Sequence, residues 1–260
     1  MFADVERAAR SVRATLDAMT AALRPDSGTP QADSTFARFR GVLDDDLRVI
    51  NRVAFDRKLD DLFHITWMLE SERVETLRHH GIADTAAARV IVDSLIRRLG
   101  AQGIWTRDGG EGLVFSVNED TVAAVVGPLL SPAGRAYLTI ASQEQHRPSA
   151  NDASLMVSWD EFGDRLAADG FVSTYPTSPF TAEMRDRGAM FLRFYLRGSP
   201  GFDGRAPTLT EAAKTNMEHF LAVYGATPAG AIVRGYRDAL KAQGYRGGKT
   251  LDEHLARQRP

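Results

Sequence analysis

The chain of 260 residues contains no cysteine. This absence excludes disulfide bonds, thiolate nucleophiles and thiolate-ligated zinc sites, so histidine and carboxylate groups are the remaining metal ligands. Asp60 and His64 lie four residues apart on one predicted helix face, but no third ligand is near them in the sequence. We therefore expect no metal ion and no cofactor. A chain of this length buries a sufficient core without cross-links, and we expect a cytoplasmic protein.

Long apolar runs are also lacking. The stretch from Thr121 to Gly134 has 14 residues, none of them charged, and is interrupted by Pro128 and Pro132; no uncharged stretch of the chain exceeds 15 residues. A helix that spans a bilayer needs about 20 mostly apolar residues. The first 24 residues mix apolar and charged positions, whereas a secretory signal has a continuous apolar core. These features predict a protein without membrane insertion.

Positive charge is not in excess over the whole chain. The formal net charge is −2, which does not indicate a nucleic-acid partner. The 28 arginines outnumber the four lysines and are spread along the chain, which a GC-rich gene explains more simply than anion recognition. The segment from Arg234 to the C-terminus, however, has seven basic and three acidic residues. We therefore predict a basic C-terminal region.

The N-terminal region carries the most regular apolar pattern. Between residues 3 and 23, the apolar residues are separated alternately by four and three positions: Val5, Ala9, Val12, Leu16, Met19 and Leu23. This spacing predicts an amphipathic helix, which Pro25 ends. The stripe has two interpretations. Either the helix packs on the core of its own domain, which we favour, or it contacts a partner.

The remaining patterns predict an α+β fold that is mainly helical. Helical spacing resumes after Ser34, which we expect to cap a second helix, and it continues to residue 69. In the second half, the patterns predict strands at 136–141, 155–157, 171–175 and 189–197, and helices at 208–224 and 229–243. The predicted organisation is a helical domain at 1–130 and a smaller mixed α+β region at 131–260 with a basic helical C-terminus.

Residues 57–117 carry the pattern with the clearest functional implication. The predicted order is a helix at about 57–69, a short helix ending at Gly81, a turn at 82–84, a helix from Thr85 to about Leu99, and two short strands joined by a glycine-rich reversal. This order resembles the winged helix-turn-helix architecture, in which the third helix packs on the first two and the hairpin forms a wing. The resemblance is to an architecture and not to a family, and it covers about a quarter of the chain.

The winged-helix resemblance implies a set of candidate contact residues. We predict nucleic-acid contacts by Thr85, Arg89, Arg97 and Arg107 of this unit, and by Arg246 and Lys249 of the basic C-terminal region. Residues 80–117, however, hold four arginines and four acidic residues, so they present no basic field for DNA. We therefore expect a non-catalytic adaptor or regulatory protein that contacts a protein partner, nucleic acid or both, or that self-associates.

Two alternatives remain open at this point. The segment 142–152 gathers acid, base and hydroxyl groups in Glu144, His146, Arg147, Ser149 and Asp152. Side chains of these types act as general acids and bases in catalytic sites, so an enzyme of unknown reaction is one alternative. The sequence contains none of the common catalytic signatures, such as G-x-S-x-G or H-E-x-x-H. The other alternative is a component of a larger assembly that docks through the N-terminal helix.

Overall fold

The computed structural model describes residues 3–56, 59–63, 70–108, 113–146, 167–197 and 208–246. Within these ranges the chain is mainly helical, with eleven α-helices and one antiparallel sheet of two strands. The predicted class, α+β and mainly helical, is confirmed at this level. The chain divides into two compact units, Met1–Arg147 and Pro148–Pro260.

The first unit contains most of the described elements. Its α-helices are α1 (Ala3–Leu23), α2 (Pro30–Asp56), α3 (Leu59–Phe63), α4 (Glu70–His80), α5 (Thr85–Ala101), α6 (Glu119–Val126) and α7 (Pro132–Gln145). Strands β1 (Ile104–Asp108) and β2 (Leu113–Val117) lie between α5 and α6, and short 3-10 helices cover Arg24–Asp26 and Gly127–Leu129. The second unit contains α8 (Ala167–Thr174), α9 (Thr181–Arg197), α10 (Glu211–Tyr224) and α11 (Pro228–Ala242).

The apolar stripe of α1 is a core stripe. All six of its residues, from Val5 to Leu23, are at most 1% exposed. Helix α1 packs on α2, which buries Phe36, Leu43 and Ile50 at helical spacing. Burial of each larger aliphatic side chain contributes about 1.5–3 kcal/mol, so this packing is a main source of stability for the unit. The interpretation that α1 packs on its own domain is confirmed, and this stripe offers no apolar surface to a partner.

The helices α2 and α7 each begin with a proline in the first position. Helix α2 begins at Pro30, and the hydroxyl of Ser34 donates to the carbonyl of Pro30 within the first turn. The predicted cap at Ser34 is therefore wrong, because proline is already suited to the first helical position. Ser131 caps α7 by accepting hydrogen bonds from two amides of its first turn. Its own amide donates to the buried carboxylate of Asp33 at 3.0 Å, which connects α7 to α2.

Three of the four predicted strands are wrong. Residues 136–141 belong to α7, residues 171–175 belong to α8 and the position after it, and residues 189–197 belong to α9. The fourth, at 155–157, lies outside the described residues. The described part of the region 131–260 contains no strand, only an isolated bridge between Thr208 and Arg246, so its predicted mixed character is not observed there.

The segment 189–197 shows the physical reason for the error. Its apolar residues alternate with arginine and tyrosine in the sequence, which is typical of a half-buried strand. Of the side chains described in this segment, Leu192, Tyr195 and Leu196 are buried, and they share one face of a helix. Tyr195 buries its ring and directs its hydroxyl to Asn216 at 3.3 Å, so it acts as an apolar residue with a polar end.

Between residues 57 and 117 the described ranges contain part of each predicted helix and strand, while residues 57–58, 64–69 and the predicted reversal at 109–112 lie outside them. Helices α3, α4 and α5 precede the β1–β2 hairpin, in which Ile104 is paired with Val117. Asp84 caps α5 by accepting a hydrogen bond from the amide of Ala87 at 2.8 Å. The order of elements is therefore as predicted.

Two amide side chains cover the outer edge of β2. Asn51 of α2 donates to the carbonyl of Phe115 at 3.0 Å and accepts from its amide at 2.9 Å. Gln145 of α7 donates to the carbonyl of Val117 at 2.6 Å and accepts from the amide of Glu119 at 2.8 Å. These bonds satisfy backbone groups that would otherwise be open to a further strand. They also fix the hairpin to α2 and α7.

The second unit has a core of its own, built by α9, α10 and α11. Its buried residues are Leu192, Tyr195, Leu196, Leu209, Ala213, Met217, Phe220, Ala229, Val233, Tyr236 and Leu240. A turn at 225–227 joins α10 to α11, and at the opposite end the amide of Leu209 donates to the carbonyl of Tyr245 at 2.8 Å. Because the pair is closed at both ends, its helices are antiparallel.

Candidate interaction surface

Helix α5 has one buried and one exposed face. Ala88, Leu95 and Leu99 are buried at helical spacing. The exposed residues on the opposite face are Ala86, Arg89, Val90, Asp93 and Arg97. Val90 is 67% exposed, a large fraction for an aliphatic side chain in the middle of a helix. The exposed face of α5 therefore carries an aliphatic side chain among charged side chains.

The exposed face of α5 carries charge of both signs. Arg89, Asp93 and Arg97 follow one another at intervals of four residues, so they share this face. The guanidinium of Arg97 donates from Nε to the backbone carbonyl of Asp93 at 3.4 Å, which directs it back along the helix. Two arginines and one aspartate around Val90 give a mixed surface, whereas phosphate-binding helices present mainly positive charge.

Arg98 lies on the same helix but has a different role. Its Nε donates to Oε1 of Glu6 at 2.6 Å, and its Nη1 donates to the hydroxyl of Ser94 at 2.6 Å. Glu6 belongs to α1, so this bond fixes α5 to α1. Sequence reasoning missed the pair because its members are 92 residues apart and only the tertiary fold brings them together.

The predicted contact residues of the first unit lie on neighbouring elements. Thr85 is the half-buried first residue of α5, and Arg89 and Arg97 lie on the exposed face of that helix. Arg107 lies in β1 opposite Val114, and its side chain is outside the described residues. Three of these four predicted residues are thus placed on one helix, and the fourth is in the strand that follows it.

The two predicted contact residues near the C-terminus belong to the second unit. Arg246 is exposed and forms the isolated bridge with Thr208. Lys249 lies outside the described residues. Exposed basic side chains also occur on α11, at Arg234 and Lys241.

A polar cluster lies where the end of α7 meets the start of α6. The hydroxyl of Ser142 donates to Oδ1 of Asp120 at 2.5 Å, and Nε2 of His146 lies 2.6 Å from Oδ2 of the same carboxylate. The imidazole also contacts the edge of the Trp105 ring, with 5.4 Å between ring centroids. The hydrogen bond from Ser142, followed by that from His146, lowers the pKa of Asp120 below its ordinary value.

This cluster lacks the order of a nucleophilic triad. In such a triad the imidazole lies between the hydroxyl and the carboxylate, so that it can take the hydroxyl proton. Here the carboxylate of Asp120 lies between the two other groups, so Ser142 is not activated by His146. Of the other residues of the enzyme hypothesis, Glu144 lies in α7, whereas Arg147, Ser149 and Asp152 lie outside the described residues, and that hypothesis stays a prediction.

A buried ion pair is a second feature that the sequence did not reveal. Arg40 of α2 makes two parallel hydrogen bonds to Glu119 of α6, at 2.9 and 2.8 Å. Its guanidinium also lies 5.9 Å from the ring centre of Tyr137 in α7. The pair therefore connects three helices, and its bidentate geometry compensates for the loss of water around both charges.

Comparisons with protein families, with characterised proteins and with solved structures returned no match for this chain. Among the described residues, no helix combines the length and apolarity needed to cross a bilayer. The described part of the chain also places no group of three or more histidine and carboxylate side chains where they could hold a metal ion. A function can therefore be inferred only from the surfaces and clusters of the molecule itself.

Proposed function

We propose that this chain is a non-catalytic adaptor or regulatory protein, which contacts a protein partner through the exposed face of α5. The observation that carries the proposal is Val90, which is 67% exposed between Arg89 and Asp93. Burial of a valine side chain in an interface contributes about 1.5–3 kcal/mol. Charges of both signs around it add selectivity for a partner with complementary charges.

The proposed module is the winged-helix-like segment 57–117. Helix α4, a tight turn, α5 and the β1–β2 hairpin follow one another in the order of that architecture. Asn51 and Gln145 hydrogen-bond to the backbone of β2, which supports a rigid wing beside α5. We propose that the hairpin, with Arg107 in β1, forms the second part of the same contact surface.

Nucleic acid is the second candidate partner of this surface. Arg89 and Arg97 are both exposed on one face, and the helical rise separates them by about 12 Å. Asp93 lies between them, however, and Arg97 bonds to its own helix, so the attraction for phosphate is reduced. A protein partner therefore ranks first.

A photo-crosslinking residue at position 90 tests the proposal in the native cell. We expect adducts of defined mass with one protein or a few proteins, and we expect Arg89→Glu in the same chain to reduce their yield. The matched control carries the crosslinker at Val42 of α2, which is 47% exposed. It should not give these adducts. Equal adducts from both positions, or none from position 90, would contradict the proposed surface.

Binding of fluorescein-labelled random duplex DNA, followed by anisotropy across a salt series, tests the second candidate. A steep loss of affinity with salt indicates release of counterions from phosphate contacts. If Arg97→Ala or removal of the residues after Gly244 also weakens binding, nucleic acid becomes the partner of this chain. Absence of binding at low salt removes nucleic acid as a candidate.

A further inference from the structure

The helices α1 and α2 enclose a groove on a side that their core stripes do not occupy. The groove has a volume of about 700 Å³. Its lining residues are Asp4, Arg7, Ala8 and Ser11 of α1, and Asp46, Val49, Val53 and Asp56 of α2. At its inner end the hydroxyl of Thr15 donates to the carboxylate of Asp46 at 2.8 Å, so the two helices are bonded directly there. Because residues 4–11 lie beside 46–56, the groove follows the axis of an antiparallel helix pair.

The sequence of α2 explains why the groove has an apolar floor. One stripe of α2, which includes Leu43, Leu47 and Ile50, is buried in the core. A second stripe repeats at intervals of four and three residues and lies beside it: Val42, Asp46, Val49, Val53 and Asp56. Val49 of this second stripe is 54% exposed. Val42 of the same stripe is 47% exposed, so the described structure leaves this second stripe partly uncovered.

The rim of the groove is acidic. Among the described lining residues, Asp4, Asp46 and Asp56 contribute three carboxylates and Arg7 contributes one positive charge. Arg7 lies 3.7 Å from Asp4, so part of the negative charge is compensated at that end. An occupant with basic flanks is favoured by this charge. A second copy of the same groove is disfavoured, because a two-fold contact would bring like charges together.

We propose that this groove binds an amphipathic helix of a protein partner, with aliphatic residues on one face and lysine or arginine beside them. The stretch from Asp46 to Asp56 is about 15 Å long, which matches about three helical turns. The aliphatic residues of the partner helix fill the space over Val49 and Val53, and its basic residues pair with the acidic rim. This inference does not depend on the exposed face of α5.

A designed peptide tests the groove without knowledge of the natural partner. The probe is a fluorescein-labelled helix of about 15 residues, with leucine at every third or fourth position and lysine on the flanks. Comparison peptides carry glutamate in place of lysine, or the same residues in shuffled order. Binding to the full chain is followed by fluorescence anisotropy. We expect the lysine peptide to bind best, with an affinity that falls as salt screens the rim.

Two valines of α2 provide a matched pair of variants. Val49→Lys places a charge on the apolar floor and should weaken binding by about tenfold or more. Val42→Lys makes the same change one heptad earlier, outside the groove lining, and should change affinity by less than about twofold. Asp56→Lys removes part of the acidic rim and should also weaken binding. Circular dichroism and thermal unfolding verify that each variant is folded.

The peptide series distinguishes binding in the groove from unselective binding and from self-association. The inference is overturned if the wild type does not bind, if the glutamate or shuffled peptide binds as well, or if the two valine variants behave alike. It is also overturned if sedimentation shows a dimer that Val49→Lys dissociates, since a second copy would then be the occupant. Val90→Glu should bind the peptide like the wild type, so failure of the α5 surface and failure of the groove are distinguishable.

Discussion

At the scale of single residues, Gly103 is a position where the backbone requires glycine. It joins α5 to β1 with a φ of 85°, a conformation that residues with a Cβ rarely adopt. A Cβ at this position would lie 2.7 Å from Cδ1 of Leu16, a core residue of α1. Its carbonyl accepts a hydrogen bond from the amide of Asn118 at 2.8 Å. The direction in which the hairpin leaves α5 therefore depends on this glycine.

We predict that Gly103→Ala lowers the free energy of unfolding by about 1–3 kcal/mol, because the new Cβ strains the backbone and approaches Leu16. Urea unfolding followed by circular dichroism measures the change. Gly100→Ala is the matched control, since Gly100 is helical and a Cβ there would meet nothing within 4 Å. That change should stabilise by about 0.5–1 kcal/mol, because alanine favours the helix. Shifts of the same sign in both variants would refute the argument.

At the scale of elements, α1, α5, α10 and α11 could be predicted from the sequence, whereas parts of α7 and α9 were predicted as strands. The apolar spacing of α1, α5, α10 and α11 extends over several turns, so a period of 3.6 residues is distinguishable from a period of two. The nine residues at 189–197 are too few for that distinction once Tyr195 is counted as apolar. The order of α4, α5, β1 and β2 could also be predicted, because Asp84 caps α5 and the strands show alternating apolar residues.

The candidate surface could be predicted only in part. Arg89, Asp93 and Arg97 share a helical spacing, so their common face follows from the sequence. The hydrogen bonds that orient the surrounding elements do not follow from the sequence. Arg98 bonds to Glu6 and Asn51 bonds to β2, and in both cases the partners are distant along the chain. The groove between α1 and α2 also depends on how the helices pack. Tertiary contacts of this kind leave no local pattern.

The contact between α6 and α7 has a consequence for stability against pH. Ser142, and then His146, hydrogen-bonds to the carboxylate of Asp120 and lowers its pKa from the ordinary value of 3.8. A carboxyl group with a lowered pKa stabilises the folded state above its unfolded pKa, and this contribution is lost as pH falls through the folded pKa. Asp120 and His146 are each about half exposed, so solvent screens the effect.

We predict that Asp120→Asn destabilises the protein at neutral pH and that its difference from the wild type shrinks as pH falls below about 4. Urea unfolding at a series of pH values measures both curves. Ser142→Ala is the control, because it removes the largest cause of the lowered pKa. In that variant the loss should begin at higher pH, nearer to 3.8. If the free energies of unfolding of the wild type and Asp120→Asn differ by the same amount at every pH, the charge of this carboxylate contributes nothing to stability.

At the scale of the whole molecule, the chain has two hydrophobic cores made by separate stretches of sequence. The first unit ends at Arg147 and buries the stripe of α1 on α2. The second buries residues of α9, α10 and α11, among them Phe220, whose ring centre lies 5.3 Å from that of Tyr195. Both surfaces proposed for partners, the exposed face of α5 and the groove between α1 and α2, belong to the first unit. Two partners could therefore be brought together by that unit.

Separate cores imply that each unit can lose its structure without the other. We predict that Phe220→Ala, which leaves a cavity at a fully buried position, costs about 3–5 kcal/mol in the second unit. Hydrogen exchange should then increase in α10 and α11 while α1 and α2 stay protected. Leu16→Ala in the core of the first unit should give the converse pattern. If either substitution increases exchange in all four helices, the two cores unfold as one cooperative structure, and contacts made by the first unit depend on the stability of the second.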